Sequence, residues 1–128
     1  MKNREDVAKA IVQAFYYVYG ELGVGFLEKV YENALALELR ERGFCVQQQL
    51  PVKVFFKEQE VGDYFADLMV EETALVELKV VETLMHKHEA QLLNYLKASD
   101  INLGLLLNFG PKPQVKRKIY ETARTHKE

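Results

Sequence analysis

The stretch YFADLMVEETALVELKVVE, residues 64–82, constrains this chain more than any other. It reads as two short strands joined by a turn, apolar at nearly every place, yet it carries Asp67, Glu77 and Lys79. Charged groups in such strands cost several kcal/mol unless they pair or bind something. Side chains on a strand alternate, so Glu77 and Lys79 share one face with Leu75 and Val81. Where Asp67 points depends on the turn. With a three-residue loop, Val70 pairs with Ala74 and Asp67 stands opposite Glu77. With Glu71–Glu72 as a two-residue turn, Asp67 pairs with Val76 and leaves that face unless a bulge restores it. We expect the first arrangement.

Two carboxylates that close resist ionising together. Lys79 relieves this, and so would a divalent cation, since Mg²⁺ suits one or two carboxylates plus phosphate oxygens. A lysine–glutamate pair on a solvated patch of sheet accounts for the same spacing equally well.

Around this stretch the pattern alternates between helix and strand. A first helix starts at Asn3 as N-cap, with Val7, Ile11, Phe15 and Val18 at helical spacing. GELGVG interrupts it, and a second helix runs from about Phe26 to Arg42, stopped by Gly43. FCVQQQLPVKVFFK and VGDYFADLMV read as strands around a polar KEQE turn, and TALVELKVVE as a third strand. A third helix spans about Leu84 to Ser99. INLGLLLNFG is a strand buried on both faces. The last strand returns across a helix, so the expected fold is α/β: a mixed central sheet, built of a three-stranded meander and a fourth strand after a crossover helix, flanked by helices.

The chain of 128 residues fits one domain. We expect the compact unit over 1–110 and a basic tail over 111–128, with a short edge strand around Val115 to Tyr120. With 48% hydrophobic and 28% charged residues a packed core is expected rather than disorder. A net charge of −2 excludes a strongly basic nucleic-acid coat but not a local basic surface. The tail supplies one candidate in Lys112, Lys116, Arg117, Lys118, Arg124 and Lys127, a set equally readable as solvated. The single Cys45, between Phe44 and Val46, reads as a small core residue in a reducing cytoplasmic compartment. No apolar run reaches bilayer length and the N-terminus lacks a signal core, so we expect no membrane association. A free edge of the sheet offers a route to a homodimer.

The helices carry polar groups at the margins of their buried faces. On the third, Gln91 and Tyr95 are four apart, with His88 one turn before, beside an apolar arc of Leu84, Met85, Leu92 and Leu96. On the second, Glu28 flanks the arc of Tyr31, Leu35 and Leu39, and Glu38 falls inside it as an acid of unassigned partner. Taken alone, Gln91–Tyr95 is an ordinary helix-edge pair, and Glu28 a surface acid favoured by the helix dipole.

GFLEKVY at 25–31 matches the signature that names the GxxExxY proteins, in Gly25, Glu28 and Tyr31. The likeness continues through YENALALELRERGF, ADLMVEETALVELKVVETL and HEAQLLNYLKASDINLGLLLNFG. The chain resembles that family, which is similar to the RecB-like branch of the PD-(D/E)XK nuclease superfamily. The resemblance implies a PD-(D/E)XK nuclease-like core and carries roles to particular residues. Asp67 looks like the motif aspartate, Glu77 and Lys79 like the E-x-K, and Gln91 and Tyr95 like the Q-x-x-x-Y. Glu28 looks like the acid given by the preceding helix. Ala66 stands where the motif has proline. The implied activity is a divalent-metal-dependent nuclease that hydrolyses phosphodiester bonds in DNA. Asp67, Glu77, Glu28 and the Leu78 backbone carbonyl would hold Mg²⁺ or Mn²⁺. Lys116, Arg117, Lys118 and His88 are the candidate phosphate contacts. The alternative is a non-catalytic nucleic-acid- or protein-binding module on the same fold.

Overall fold

The structure is a computed structural model and describes residues 2–121. Helix α1 spans Arg4–Leu22, and the Asn3 side chain accepts the Asp6 N–H at 2.8 Å to cap it. Val7, Ile11, Phe15 and Val18 form its buried face, as their spacing requires. Helix α2 spans Glu28–Glu41, and the chain leaves it through Gly43 at φ 92°. Strands β1 (Val46–Phe56) and β2 (Gln59–Val70) form a long hairpin, followed by β3 (Ala74–Lys79), α3 (His86–Ala98), β4 (Leu103–Asn108) and β5 (Gln114–Ile119).

The five strands lie in chain order across one mixed sheet. β1, β2 and β3 form an antiparallel meander, β4 joins β3 in parallel after α3, and β5 pairs antiparallel with β4. Pro111 and Pro113 lie in the β4–β5 connection. Every residue of β4 is buried, as are Ala74–Leu78 of β3, because helices cover both faces at the centre. α1 and α2 pack over Leu68, Val70, Val76, Leu78, Leu105 and Leu107. α3 packs over Ala66, Leu75 and Leu106 through Leu92, Tyr95 and Leu96. Gly104 permits that contact: a Cβ there would lie 2.9 Å from Leu92 Cγ. No described helix is long and apolar enough to cross a membrane.

The β2–β3 loop sets the register. Val70 pairs with Ala74, and Glu71 and Glu72 take φ of 56° and 51°. The last ladder pair is Leu68–Val76, and one further step puts Asp67 across from Glu77. Alternation slips at that point, since Ala66 packs on the α3 side whereas Leu68 and Val70 pack on the other. β1 bends to match: Gln49, across from Asp67, drops out of the ladder at φ 56°.

Three local expectations change. Cys45 is exposed rather than in the core, because Phe44 and Val46 turn inward and alternation sends Cys45 out. α3 begins at His86, leaving Met85 exposed as an extended N-cap instead of within the apolar arc. β3 stops at Lys79, where Asn108 captures the next segment: its Oδ1 accepts the Val81 N–H at 3.1 Å and its Nδ2 donates to the Val81 carbonyl at 2.9 Å. Gly110 is needed here, since a Cβ would sit 1.9 Å from the Val81 carbonyl oxygen.

Two glycine replacements should therefore shift stability in opposite directions. Gly20→Ala, in α1 with nothing within 4 Å of the new methyl group, should gain about 0.5–1 kcal/mol. Gly110→Ala should lose about 3 kcal/mol by forcing the backbones apart. Urea unfolding midpoints measure both; a neutral Gly110→Ala would contradict the close approach.

Candidate active site

The register brings two acids together in an unusual way. Asp67 N–H donates to Glu77 Oε1 at 2.9 Å, and Leu78 N–H donates to Asp67 Oδ2 at 2.8 Å. Side-chain oxygens thus take backbone N–H groups where the β2–β3 ladder ends, and each acid is fixed by the opposite strand. Glu77 is only 5% exposed. Burial, and then the Asp67 charge, push its carboxyl up to about 8, against the Asp67 N–H and Lys79. Asp67 is half-buried and also raised, chiefly by burial and by Glu32, while the Leu78 N–H, Gln49 and Lys79 pull it down.

Lys79 follows two residues later on the same face as Glu77. Its Nζ donates to Gln91 Oε1 at 3.3 Å, and Gln91 Nε2 donates to the Tyr95 hydroxyl at 3.1 Å. The three make one hydrogen-bonded row from the sheet to α3. Tyr95 is almost wholly buried, and burial followed by the Glu77 charge raises its phenol. The link from β3 to α3 is tied as well: Gln114 Oε1 accepts from Leu84 N–H at 2.9 Å and from Asn108 Nδ2 at 3.0 Å. Asn108 and Gln114 thereby hold α3 in place relative to Lys79. Sequence reading saw neither, because their partners are 27 and 30 residues distant.

From the other side comes α2. Tyr31 is fully buried and stacks on Phe109 with ring centroids 4.4 Å apart. Its hydroxyl donates to the Gly23 carbonyl at 2.6 Å and accepts the Phe26 N–H at 3.3 Å. Gly25 takes φ 106° in the loop so pinned. This gives Gly25, Glu28 and Tyr31 a shared physical purpose: the tyrosine anchors a glycine turn, which sets where Glu28 opens the helix. Glu28 is solvent-exposed, yet partial desolvation and then the Asp67 charge raise its carboxyl, and Lys79 opposes them.

The buried acid of α2 is Glu32, which sequence reading missed. It is 3% exposed and accepts from Gln48 Nε2 at 2.7 Å, Gln49 Nε2 at 2.8 Å and Lys29 Nζ at 3.0 Å. Gln49 Nε2 also reaches Asp67 Oδ1 at 3.4 Å, so one amide bridges the two carboxylates. The signal was present: Glu32 lies one turn after Glu28 and three before Leu35, inside the apolar arc. Glu38 is instead satisfied by Arg42 four residues on.

A cleft of about 1170 Å³ opens between the β1–β2 hairpin and α3. Lys79, Gln91 and Tyr95 line it, together with Lys53, Tyr64, Lys87, His88 and Lys97, and among the described residues no carboxylate does. His88 Nδ1 accepts the Met85 N–H at 3.0 Å, which caps α3 and leaves the ring proton on Nε2. Partial desolvation, Lys79 and Lys87 all lower its basicity, so it contributes little charge at neutral pH. The β5 cations do not form one surface. Arg117 forks onto Glu5 of α1 on one side of the sheet, and Lys118 meets Glu89 of α3 on the other at 2.7 Å. Lys116 is exposed beside them. Arg124 and Lys127 lie outside the described residues.

The donor set can be tested for a cation. No cluster of three or more His, Cys, Asp or Glu suited to a metal occurs among the described residues. Glu28 is therefore not gathered with Asp67 and Glu77 into a closed cage. Mg²⁺ does not need one, since it binds through one or two carboxylates and keeps water or phosphate elsewhere. Glu77 Oε2 receives no hydrogen bond among the described residues, and Asp67 Oδ1 only the long one from Gln49. Two desolvated, mutually repelling carboxylates with an oxygen to spare on each are hard donors that a divalent cation fits.

Comparison with known proteins agrees with this fold. The crystal structure of SSO0001 superposes with a TM-score of 0.55 at 14% identity, over 95% of this chain and 60% of that one. At that identity the likeness is one of fold, and the chain spans less than two thirds of that protein's length. No curated protein matches by sequence. A family model for the PD-(D/E)XK nuclease superfamily matches residues 5–119, and the chain belongs to that superfamily.

Proposed function

We propose that this chain is a divalent-metal-dependent nuclease that hydrolyses phosphodiester bonds in DNA. The observation that carries the reading is the desolvated Asp67–Glu77 pair, with Lys79 next to it and joined to Gln91 and Tyr95. Asp67, Glu77 and the Leu78 carbonyl would hold Mg²⁺ or Mn²⁺, with Glu28 lending negative charge from the start of α2. The ion would supply Lewis-acid polarisation of a phosphoryl oxygen.

The chain's own residues do the rest. The Lys79 ammonium has three protons, and Gln91 takes one of them. The other two are free to orient the attacking water and to offset charge that builds on the phosphoryl oxygens. Gln91 and Tyr95 keep the ammonium from swinging away. Gln49, itself held by Glu32, keeps Asp67 turned toward Glu77.

Lys79→Ala should abolish Mg²⁺-dependent cleavage of DNA, a loss of at least about 10²-fold, while its thermal melt followed by circular dichroism stays cooperative. Cleavage at the wild-type rate by this variant would remove the assignment. Calorimetric titration with Mn²⁺ should find a saturable site that weakens in Asp67→Asn. A chain with no saturable site at millimolar metal would instead be a binding module on a nuclease fold.

The pair also predicts a pH dependence in EDTA. The Glu77 carboxyl is raised from 4.5 to about 8 in the folded chain. Between those values the folded state binds more protons than the unfolded state, so stability falls as pH rises. Asp67 is shifted in the same sense and the two titrate together. Urea midpoints taken from pH 5 to 8.5 should drop, with a slope of up to about 1.4 kcal/mol per pH unit. Glu77→Gln keeps an oxygen for the Asp67 N–H and should flatten the profile. A flat wild-type profile would show that the pair is not desolvated.

A further inference from the structure

The cleft beside the carboxylates has more than phosphate-binding chemistry. Tyr64 is 49% exposed near the middle of β2, and Phe55, 61% exposed, lines the same space from β1. Tyr64 is not a loose surface ring. Its centroid lies 5.8 Å from that of Tyr95, and a Cβ on Gly62 would come within 3.0 Å of Tyr64 Cε2. The ring therefore lies along the strand over a glycine, supported below and open above. Facing it, α3 sends Lys87 and Lys97 into the cleft. Among the described residues no acid pairs with either, although Lys97 also sits 5.8 Å above the Tyr120 ring. Lys53 on the hairpin is partly neutralised by Glu60 at 3.4 Å. In a chain whose acids outnumber its bases, 19 to 17, a wall on which the described residues place no carboxylate is set apart.

We propose that this cleft binds single-stranded DNA, with unpaired bases stacked on Tyr64 and Phe55 and the phosphates held by Lys87, Lys97 and Lys79. The inference rests on the nuclease reading and names the strand state of its substrate. A duplex presents phosphates outward and hides its base faces in the stack, so it would leave the aromatic floor bare. An unpaired strand offers both chemistries at once: a π-face for each ring and a backbone charge for each lysine. Because Lys79 belongs both to the cleft and to the carboxylate site, a strand seated on Tyr64 leads its backbone to the reacting groups.

The test is fluorescence anisotropy in EDTA, where no cleavage occurs, with a labelled 15-nucleotide oligothymidylate and a 15-base-pair duplex as probes. The single strand should bind at least about tenfold more tightly than the duplex, since stacking is lost when bases are paired. Tyr64→Ala should lower single-strand affinity about tenfold, and Tyr64→Phe should restore it because stacking needs the ring and not the hydroxyl. Lys87→Ala with Lys97→Ala should make the salt dependence shallower by about 1–1.5 in log–log slope, about 0.7 per phosphate contact. Equal or tighter binding of the duplex, or an unchanged Tyr64→Ala, would overturn the proposal. The two readings fail separately. Lys79-dependent cleavage of duplex with no single-strand preference sinks the cleft proposal alone. Tyr64-dependent single-strand binding without any cleavage sinks the nuclease alone.

Discussion

Everything distinctive in this structure depends on how Asp67 and Glu77 meet. Two acids on adjoining strands each accept a backbone N–H from the opposite strand, so the sheet itself clamps them together in a poorly hydrated place. Isolated buried carboxylates would turn outward or take up protons, and here the backbone denies them the first escape. The second escape is the one taken, with the Glu77 carboxyl pushed up to about 8 by burial and by the Asp67 charge. A structural ion pair would not need this arrangement, because one lysine and one acid suffice for that.

Three separate supports converge on the pair. Tyr31 stacks on Phe109 and anchors the loop that starts α2, which fixes Glu28 and Glu32. Gln49, in a left-handed conformation that costs a non-glycine residue about 1 kcal/mol or more, hands the Glu32 charge on to Asp67 through its amide. Asn108 and Gln114 tie the exit of β3 to α3, so that Gln91 can reach Lys79. The Gln49 bulge and the Asn108 clamp fall toward the Lys79 end of the central strands, while the turn that carries Glu71 and Glu72 in left-handed backbone closes the other end of β2 and β3. The irregularities at the Lys79 end are better explained by the site than by the needs of the sheet.

The residues that sequence reading marked fall into two groups. Asp67 and Glu77 meet across β2 and β3, and Lys79, Gln91 and Tyr95 form a hydrogen-bonded row beside them, because strand alternation and helical spacing are local rules and the short β2–β3 turn left only two registers. Lys116, Arg117 and Lys118 were grouped by adjacency along the chain, and adjacency misled. On a strand, neighbours point to opposite faces, and here distant acids, Glu5 and Glu89, meet two of them. The cationic cleft draws on lysines scattered from 53 to 97, and no run of charge announced it.

The sequence by itself determined the order of elements, the α/β class, the N-cap of α1 and the sharing of one strand face by Glu77 and Lys79, and it narrowed the facing partners of β2 and β3 to two registers. Each of these follows from interactions among residues a few places apart. Tertiary structure alone decided that Glu32 is the buried acid, that Gln49 bridges it to Asp67, that Cys45 faces solvent, and that Asn108 ends β3. It also decided that Glu77 is dry enough to hold its proton near neutral pH. Desolvation and pairing depend on which remote segments come to lie over a side chain, and no local pattern encodes the distance to a neighbour that arrives from elsewhere in the chain.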